Sequence, residues 1–415
     1  MTRLGDVADM LVGFAFKSTG FLEADSDGVR LLRGDNVQQG HVRWGEKTKK
    51  WPVTQCDGLE RYQLAEGDVI LAMDRPIVGD GLKMAWVRAE DLPALLVQRV
   101  CRLRGRPGLA LTDFIRYVLA APEFSAHIHR ITTGANIPHI SGKDIAAYEF
   151  ELPTLVDQAR IVECLTAYDD LIATNQRRIA LLEDAARRLY REWFVHLRFP
   201  GHESVAVKDG VPQGWLKTPI EKQTVFLNRG IAPAYDDAAT GWVINQKCIR
   251  DGRLSMSLAR RQSKEVKADR LVRMGDVLIN STGAGTLGRV AQVRSASEGC
   301  TVDTHVTIAR PVDEAQFAYF GQALLNLEPI LSQMGKGATN QLELTRADIG
   351  TVEIWQPPPS LVAEFQRLVW PMMEQAEELN RSNLSLAKAR DLLLPKLMSG
   401  QLDVSGIRLP DEAAA

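Results

Sequence analysis

Apolar positions along this chain follow two rhythms. Short unbroken runs such as Val69-Ile70-Leu71-Ala72 and Val277-Leu278-Ile279, bounded by glycine and aspartate, predict buried strands. Thr112 to Leu119 and Gln316 to Leu327 predict short helices. Two stretches keep alternating steps of three and four for much longer. In the first, from about Asp157 to His196, Ile161, Leu165, Tyr168, Ile172, Ile179, Leu182, Ala186, Leu189 and Trp193 mark a seam, with Asn175 in one slot. In the second, from about Leu361 to Leu397, Phe365, Leu368, Met372, Leu379, Leu386 and Leu393 mark another. About 40 residues at about 1.5 Å each make a rod of roughly 60 Å. Pro371 is expected to kink or split the second rod, and Asn175 to fix register or fill a solvated gap. Two matching rods in one chain predict an antiparallel, coiled-coil-like pair.

The chain is written twice. Leu64-Ala65-Glu66-Gly67-Asp68-Val69-Ile70-Leu71 returns half a chain later as Val272-Arg273-Met274-Gly275-Asp276-Val277-Leu278-Ile279. Val37 and Gly40 match Ile249 and Gly252. Asn136 to Pro153 aligns with Asn340 to Pro357, with Asp144-Ile145 against Asp348-Ile349. Three matches in one order imply duplication, so the predicted order is module, long helix, module, long helix. Each module mixes strands, short helices and many turns, which predicts an α+β fold with a curved or partly closed sheet.

The composition fits this picture and narrows it. The chain has 415 residues, 45% hydrophobic and 25% charged, with a net charge of −2, which excludes a disordered or collagen-like chain. No run approaches the length of a membrane span, and the charged start argues against a signal peptide. Cys56, Cys101, Cys164, Cys248 and Cys300 form no CxxC pair, so reduced thiols in a cytoplasm are expected. A near-zero charge neither demands nor forbids nucleic acid, because phosphate affinity depends on where cations sit.

Tests for chemistry return little. Gly283-Ala284-Gly285-Thr286-Leu287-Gly288 satisfies GxGxxG, but the alternating Arg289 to Arg294 that follows predicts a strand, not a phosphate-binding helix. No P-loop occurs. His127 and His129 fall in a helical stretch where such neighbours diverge. Asp303, His305 and the serines lack a nucleophile elbow, and Glu265-Val266-Lys267 lacks the acidic partner of a nuclease site. No catalytic, cofactor or metal residue is assigned.

What is left is recognition. Arg, Lys, Asn, Gln and Thr beside glycine supply fork-like hydrogen bonds to base edges and contacts to phosphates. The candidates are Lys17, Arg33, Asn36, Gln38, Arg75, Lys83, Thr133, Asn136 and His139 in the first module. In the second they are Arg229, Asn245, Lys247, Thr282, Arg289, Lys336, Asn340 and Gln341. The loops Asp74 to Gly81 and Ser281 to Gly288 differ most between copies.

Several strings resemble the specificity subunits of type I restriction-modification systems. Gly13-Phe14-Ala15-Phe16-Lys17-Ser18 resembles the opening of their target recognition domains. Leu152 to Val162 (LPTLVDQARIV) resembles the entry to the central conserved region, continued by Asp169 to Asn175 and Leu189 to Val195. Leu392 to Gly400 (LLLPKLMSG) resembles the end of the distal region. Ala363-Glu364-Phe365 departs from the matching Asp157-Gln158-Ala159.

The resemblance implies an α+β chain with target recognition domains at 1–152 and 201–356. It implies helical regions at 153–200 and 357–405 and a tail at 406–415. It further implies that each domain reads one half of a gapped site in double-stranded DNA, with the helices as spacer. It implies that two methyltransferase subunits dock here and that restriction and translocase subunits join them. S-adenosylmethionine, ATP and Mg are then expected in those partners, and none in this chain; Gln356-Pro357-Pro358 lacks the ends of an adenine-methylase motif. The alternatives are a duplicated protein-binding scaffold and a stand-alone nuclease.

Overall fold

The computed structural model describes residues 1–79, 81–132, 138–295, 299–335 and 342–407. The chain forms two compact units. One comprises Met1–Ile172 and Leu384–Ala415, the other Ala173–Asn383.

The apolar runs are central strands. In the first unit, Val69–Ala72 lies between Val100–Gly105 and Met84–Trp86, and Ala8–Val12 closes the four-stranded antiparallel sheet beyond Val100–Gly105. The run is continuous because both faces of the strand meet a core. Val69 and Leu71 enter one apolar cluster, Ile70 and Ala72 another, as a period of two demands. A second sheet orders Lys50–Trp51, Val29–Leu32 and Ala94–Leu96, the last two parallel.

The second unit repeats this topology. Thr224–Arg229, Val306–Pro311, Val277–Asn280 and Val290–Gln292 follow the same order, and Arg260–Gln262, Gly241–Ile244 and Cys300–Val302 repeat the smaller sheet, parallel pair included. Val277 and Ile279 again point into one core and Leu278 into the other. The predicted short helices run over Thr112–Ala120 and Phe317–Asn326.

The sequence repeats have local physical causes. Gly67 and Gly275 take the left-handed backbone at φ 82° and 86°, where a side chain is strained. The next residue turns its carboxylate back. Asp68 accepts from the Ala65 N–H and Asp276 from the Arg273 N–H, each at 2.8 Å. Each carboxylate also holds an arginine of the neighbouring strand, Arg104 in one copy and Arg310 in the other. The Asp144 and Asp348 matches are capping boxes, with Ser141 and Thr345 as the N-caps.

The first long helix spans Leu155–Tyr190 and ends in a wide turn over Arg191–Val195. Thr154 caps its first turn through the Asp157 N–H, and the buried Gln158 amide holds Leu109, Leu111 and Pro153. The second spans Pro359–Met398 without interruption. The expectation that Pro371 splits the rod is therefore corrected. The ring faces solvent, while Val369, Trp370 and Met373 bury the opposite side and hold the flanking turns.

Within each unit the two helices pair antiparallel. In the first, Ile161 and Leu165 share a core with Leu394 and Leu397, and Asp169 meets Arg390. In the second, Trp193 packs on Phe365 with ring centroids 5.6 Å apart. Asn175 is buried and donates to Asn383 Oδ1 at 3.0 Å. Of the predicted seam, Ile161, Leu165, Ile179, Ala186, Trp193 and Phe365 are buried. Tyr168, Ile172, Leu182, Leu189, Leu368, Met372, Leu379, Leu386 and Leu393 are half-buried. In the second helix the fully buried line runs through Val369, Met373, Ala376 and Leu394. That helix packs on its module as well as on its partner, so its apolar face is broader than a two-position seam. No helix among the described residues is long and apolar enough to cross a membrane.

Candidate nucleic-acid interface

In each unit, the loops beyond the central strands converge with the segment that leads into the capping-box helix. Asp74 bridges His139 in the first, and Thr282 bridges Glu343 in the second. These positions match in the fold but not in chemistry.

In the first module, Asp74 Oδ1 takes hydrogen bonds from His139 Nδ1 at 2.6 Å and Arg99 Nη1 at 2.9 Å. Burial pushes the Asp74 carboxyl up, but those two bonds outweigh it and hold the group below its ordinary value. Arg99 sits at φ 67° just before the strand Val100–Gly105. At the matching place in the second module, His305 precedes Val306–Pro311, and its Nδ1 lies 2.7 Å from Thr282 Oγ1. Glu343 there pairs with Arg229 at 2.5 Å, and Arg229 also donates to the Leu344 carbonyl.

Beside these groups the first module carries a polar groove of about 940 Å³. Arg33, Arg43, Lys47 and Lys83 line it, with Asp35 and Glu46 as counter-charges. Lys83 is half-buried, with no ion pair among the described residues. Burial draws its ammonium below the ordinary lysine range, against the pull of Asp35. Its counterpart is Arg289. The Lys83 carbonyl accepts from the Ala72 N–H and the Arg289 carbonyl from the Asn280 N–H, both at 2.9 Å. Arg33 and Asn245 also correspond, each directly after a matching strand.

The candidates divide by what already holds them. Lys17, Arg75 and Lys247 are exposed, Arg75 at φ 44°. The Asn36 amide is committed within its own turn, accepting from Arg33 N–H and donating to the Arg43 carbonyl. Gln38 donates to the Asp35 and Val37 carbonyls. Asn245 caps Lys247 and donates to the Leu258 carbonyl. Thr133, Asn136, Lys336, Asn340 and Gln341 lie outside the described residues. The Gly283–Gly288 segment joins the antiparallel strands Val277–Asn280 and Val290–Gln292, and Arg289 donates to its Gly285 carbonyl. Arg99 and Glu343 were not singled out from the sequence. Each becomes visible only when the copies are aligned through the strand or bridge beside it.

Arginine forks, imidazole and carboxylate on these loops form a rim of hydrogen-bonding groups. Comparison with known proteins bears on what such a chain resembles. Residues 1–184 match the type I restriction modification DNA specificity domain. The EcoAI type I restriction enzyme specificity subunit of Escherichia coli is 35% identical over 174 residues. The MjaVIII specificity subunit of Methanocaldococcus jannaschii is 29% identical over 189 residues. The chain is similar to type I restriction-modification specificity subunits. These two matches cover 41% and 46% of this chain and 28% and 44% of the relatives' own lengths. The crystal structure of a type I S subunit from M. genitalium shares the fold, with a TM-score of 0.57 at 14% identity over 95% of each chain.

Proposed function

We propose that this chain is the DNA-reading subunit of a type I restriction-modification complex and recognises a gapped, two-part site in duplex DNA. Each module reads one half. The paired helices set the distance between halves and dock two methyltransferase subunits, to which restriction and translocase subunits add. Methyl transfer from S-adenosylmethionine to adenine, ATP hydrolysis and cleavage belong to those partners, and Mg with them.

One observation carries the reading. A scaffold repeated down to its aspartate–arginine pairs presents different groups at matching rim positions: Asp74 and Thr282, Arg99 and His305, His139 and Glu343. That is the arrangement expected where two half-sites differ in sequence. Asn36, Gln38 and Asn245 shape the loops in this reading, and Lys17, Arg33, Arg75, Lys83, His139, Arg229, Lys247, Thr282 and Arg289 face the duplex.

Replacing residues 1–152 with the corresponding module of another family member tests it. Methylation sequencing of cells making the chimera with its methyltransferase should show one changed half-site, and a change in both halves refutes modular reading. Lengthening both helices by one turn should widen the accepted gap, and an unchanged gap refutes the spacer role.

A further inference from the structure

Each unit has a hollow where its module meets the long helices, and the two hollows differ in their free charge. In the first unit it measures about 710 Å³ and its arginines are neutralised. Arg116 lies 3.7 Å over the Trp86 ring, and both Arg116 and Arg390 bond to Asp169. In the second unit it measures about 670 Å³. There Arg294 is tied to Glu183, but Arg187 on the first long helix and Arg191 at the start of the wide turn that ends it are exposed, with no ion pair among the described residues. Four residues apart, they stand on one helical face. Across the hollow is Arg289, at the end of the loop that forms part of the recognition rim. Asp251 and Glu328 are the acids facing them, and Glu328 already accepts from the Val290 N–H at 2.8 Å.

We propose that Arg187 and Arg191 extend the second module's DNA surface onto the long helix and grip the sugar–phosphate backbone beside its half-site. The argument rests on the DNA-reading function above and on the contrast between saturated and unsaturated arginines. A guanidinium held by a carboxylate is structural. A pair of free, solvent-facing forks beside a reading loop matches phosphate oxygens and carries no base preference. The first module has no such pair in its hollow, so the extension belongs to one side of the site.

The test uses the full chain with its methyltransferase subunits. The probe is a duplex carrying the motif that methylation sequencing reports, beside a scrambled duplex. R187A/R191A should weaken binding to both duplexes by the same factor. The slope of log affinity against log salt should become shallower by about 1 to 2. Footprinting should lose backbone protection next to the second half-site only, while the methylated motif stays the same. R187K/R191K, which keeps both charges, should restore most of the slope. An unchanged slope in a complex that still methylates its motif overturns the inference and leaves the DNA-reading function standing. Loss of complex assembly, followed by mass photometry, overturns it in favour of a contact with the partner subunits. A wild-type complex that binds neither duplex refutes the reading function, and this inference with it.

Discussion

Glu183 is the group on which the second module's attachment to the helical pair turns, and E183Q tests this. Its carboxylate, on the first long helix, receives Arg253 Nε and Nη2 and Arg294 Nη1 at 2.6 to 3.1 Å. The Glu183 side chain is 15% exposed and Arg294 8%, whereas Arg253 is 52% exposed. The Arg294 pair is thus the costly one to break. Removing one partner of a buried pair costs about 3–5 kcal/mol, because the other charge is left uncompensated. Glutamine still accepts one bond, which places E183Q near the lower end, about 3 kcal/mol. The exposed Arg253 pair adds no more than about 1 kcal/mol. Hydrogen exchange read by mass spectrometry resolves this locally, because opening free energies vary through a structure. Peptides over Arg253 and Arg294 should lose about 3 kcal/mol of protection, while peptides of the first module keep theirs. The pH dependence has a fixed sign. Burial pushes the Glu183 carboxyl up, but the hydrogen bonds and charges of Arg253 and Arg294 bring it below the ordinary 4.5. A lowered folded pKa means that the stabilisation is present above about 4.5 and is lost as pH falls through the folded value. E183Q should therefore flatten acid unfolding of this unit below pH 4.5. A loss of less than about 0.5 kcal/mol, or an equal loss in both units, would refute the reasoning.

Three further outcomes follow from the packing. N175L strands the half-buried Asn383 amide and should cost about 1 kcal/mol in urea unfolding, whereas N175L/N383L should recover most of it; additive losses would count against a coupled pair. G230A places a Cβ 1.8 Å from the Val302 carbonyl oxygen and should lower the thermal midpoint by several degrees, while G45A, with no neighbour within 4 Å, should leave it unchanged. Burial pushes the Cys101 thiol up to about 12 and Cys300 up to about 11, so at pH 8 both should resist iodoacetamide in the folded chain and react once it is unfolded, by mass spectrometry.

The duplication was legible because its signals are local. A glycine that must take positive φ, an aspartate that turns back on its own loop and a Ser/Thr-x-x-Asp cap are each written within four residues. The long helices were legible from periodicity, but their buried line was not. Val369 and Leu368 are equally apolar in sequence, and only packing against a module as well as a partner helix decides that Val369 is covered. Pro371 does not split its helix because its cost depends on context: its ring projects to solvent from a helix whose other face is locked. Polar side chains were the hardest to read. Asn36, Gln38 and Asn245 have the groups that base recognition uses, yet the same groups satisfy backbone at turns. Composition cannot separate the two uses; a hydrogen-bond count around each amide does.

The two copies supply that separation from within one chain. Contacts that recur at matching positions, such as Asp68 with Arg104 and Asp276 with Arg310, hold the modules together. The recurrence is not uniform, since Asp276 and Arg310 are both buried while Arg104 is 37% exposed, yet the geometry is kept. At the rim, geometry is kept and identity is not: the bridge joining Asp74 to His139 joins Thr282 to Glu343 in the second copy. A purely structural bridge would gain nothing from exchanging a carboxylate–imidazole pair for a hydroxyl and a carboxylate, because exposed ion pairs contribute little to stability. The exchange does change which donors and acceptors the surface offers. Under the proposed function, divergence at constant backbone geometry is what the rim would show if it answers to something outside each module, while the recurring core answers to folding.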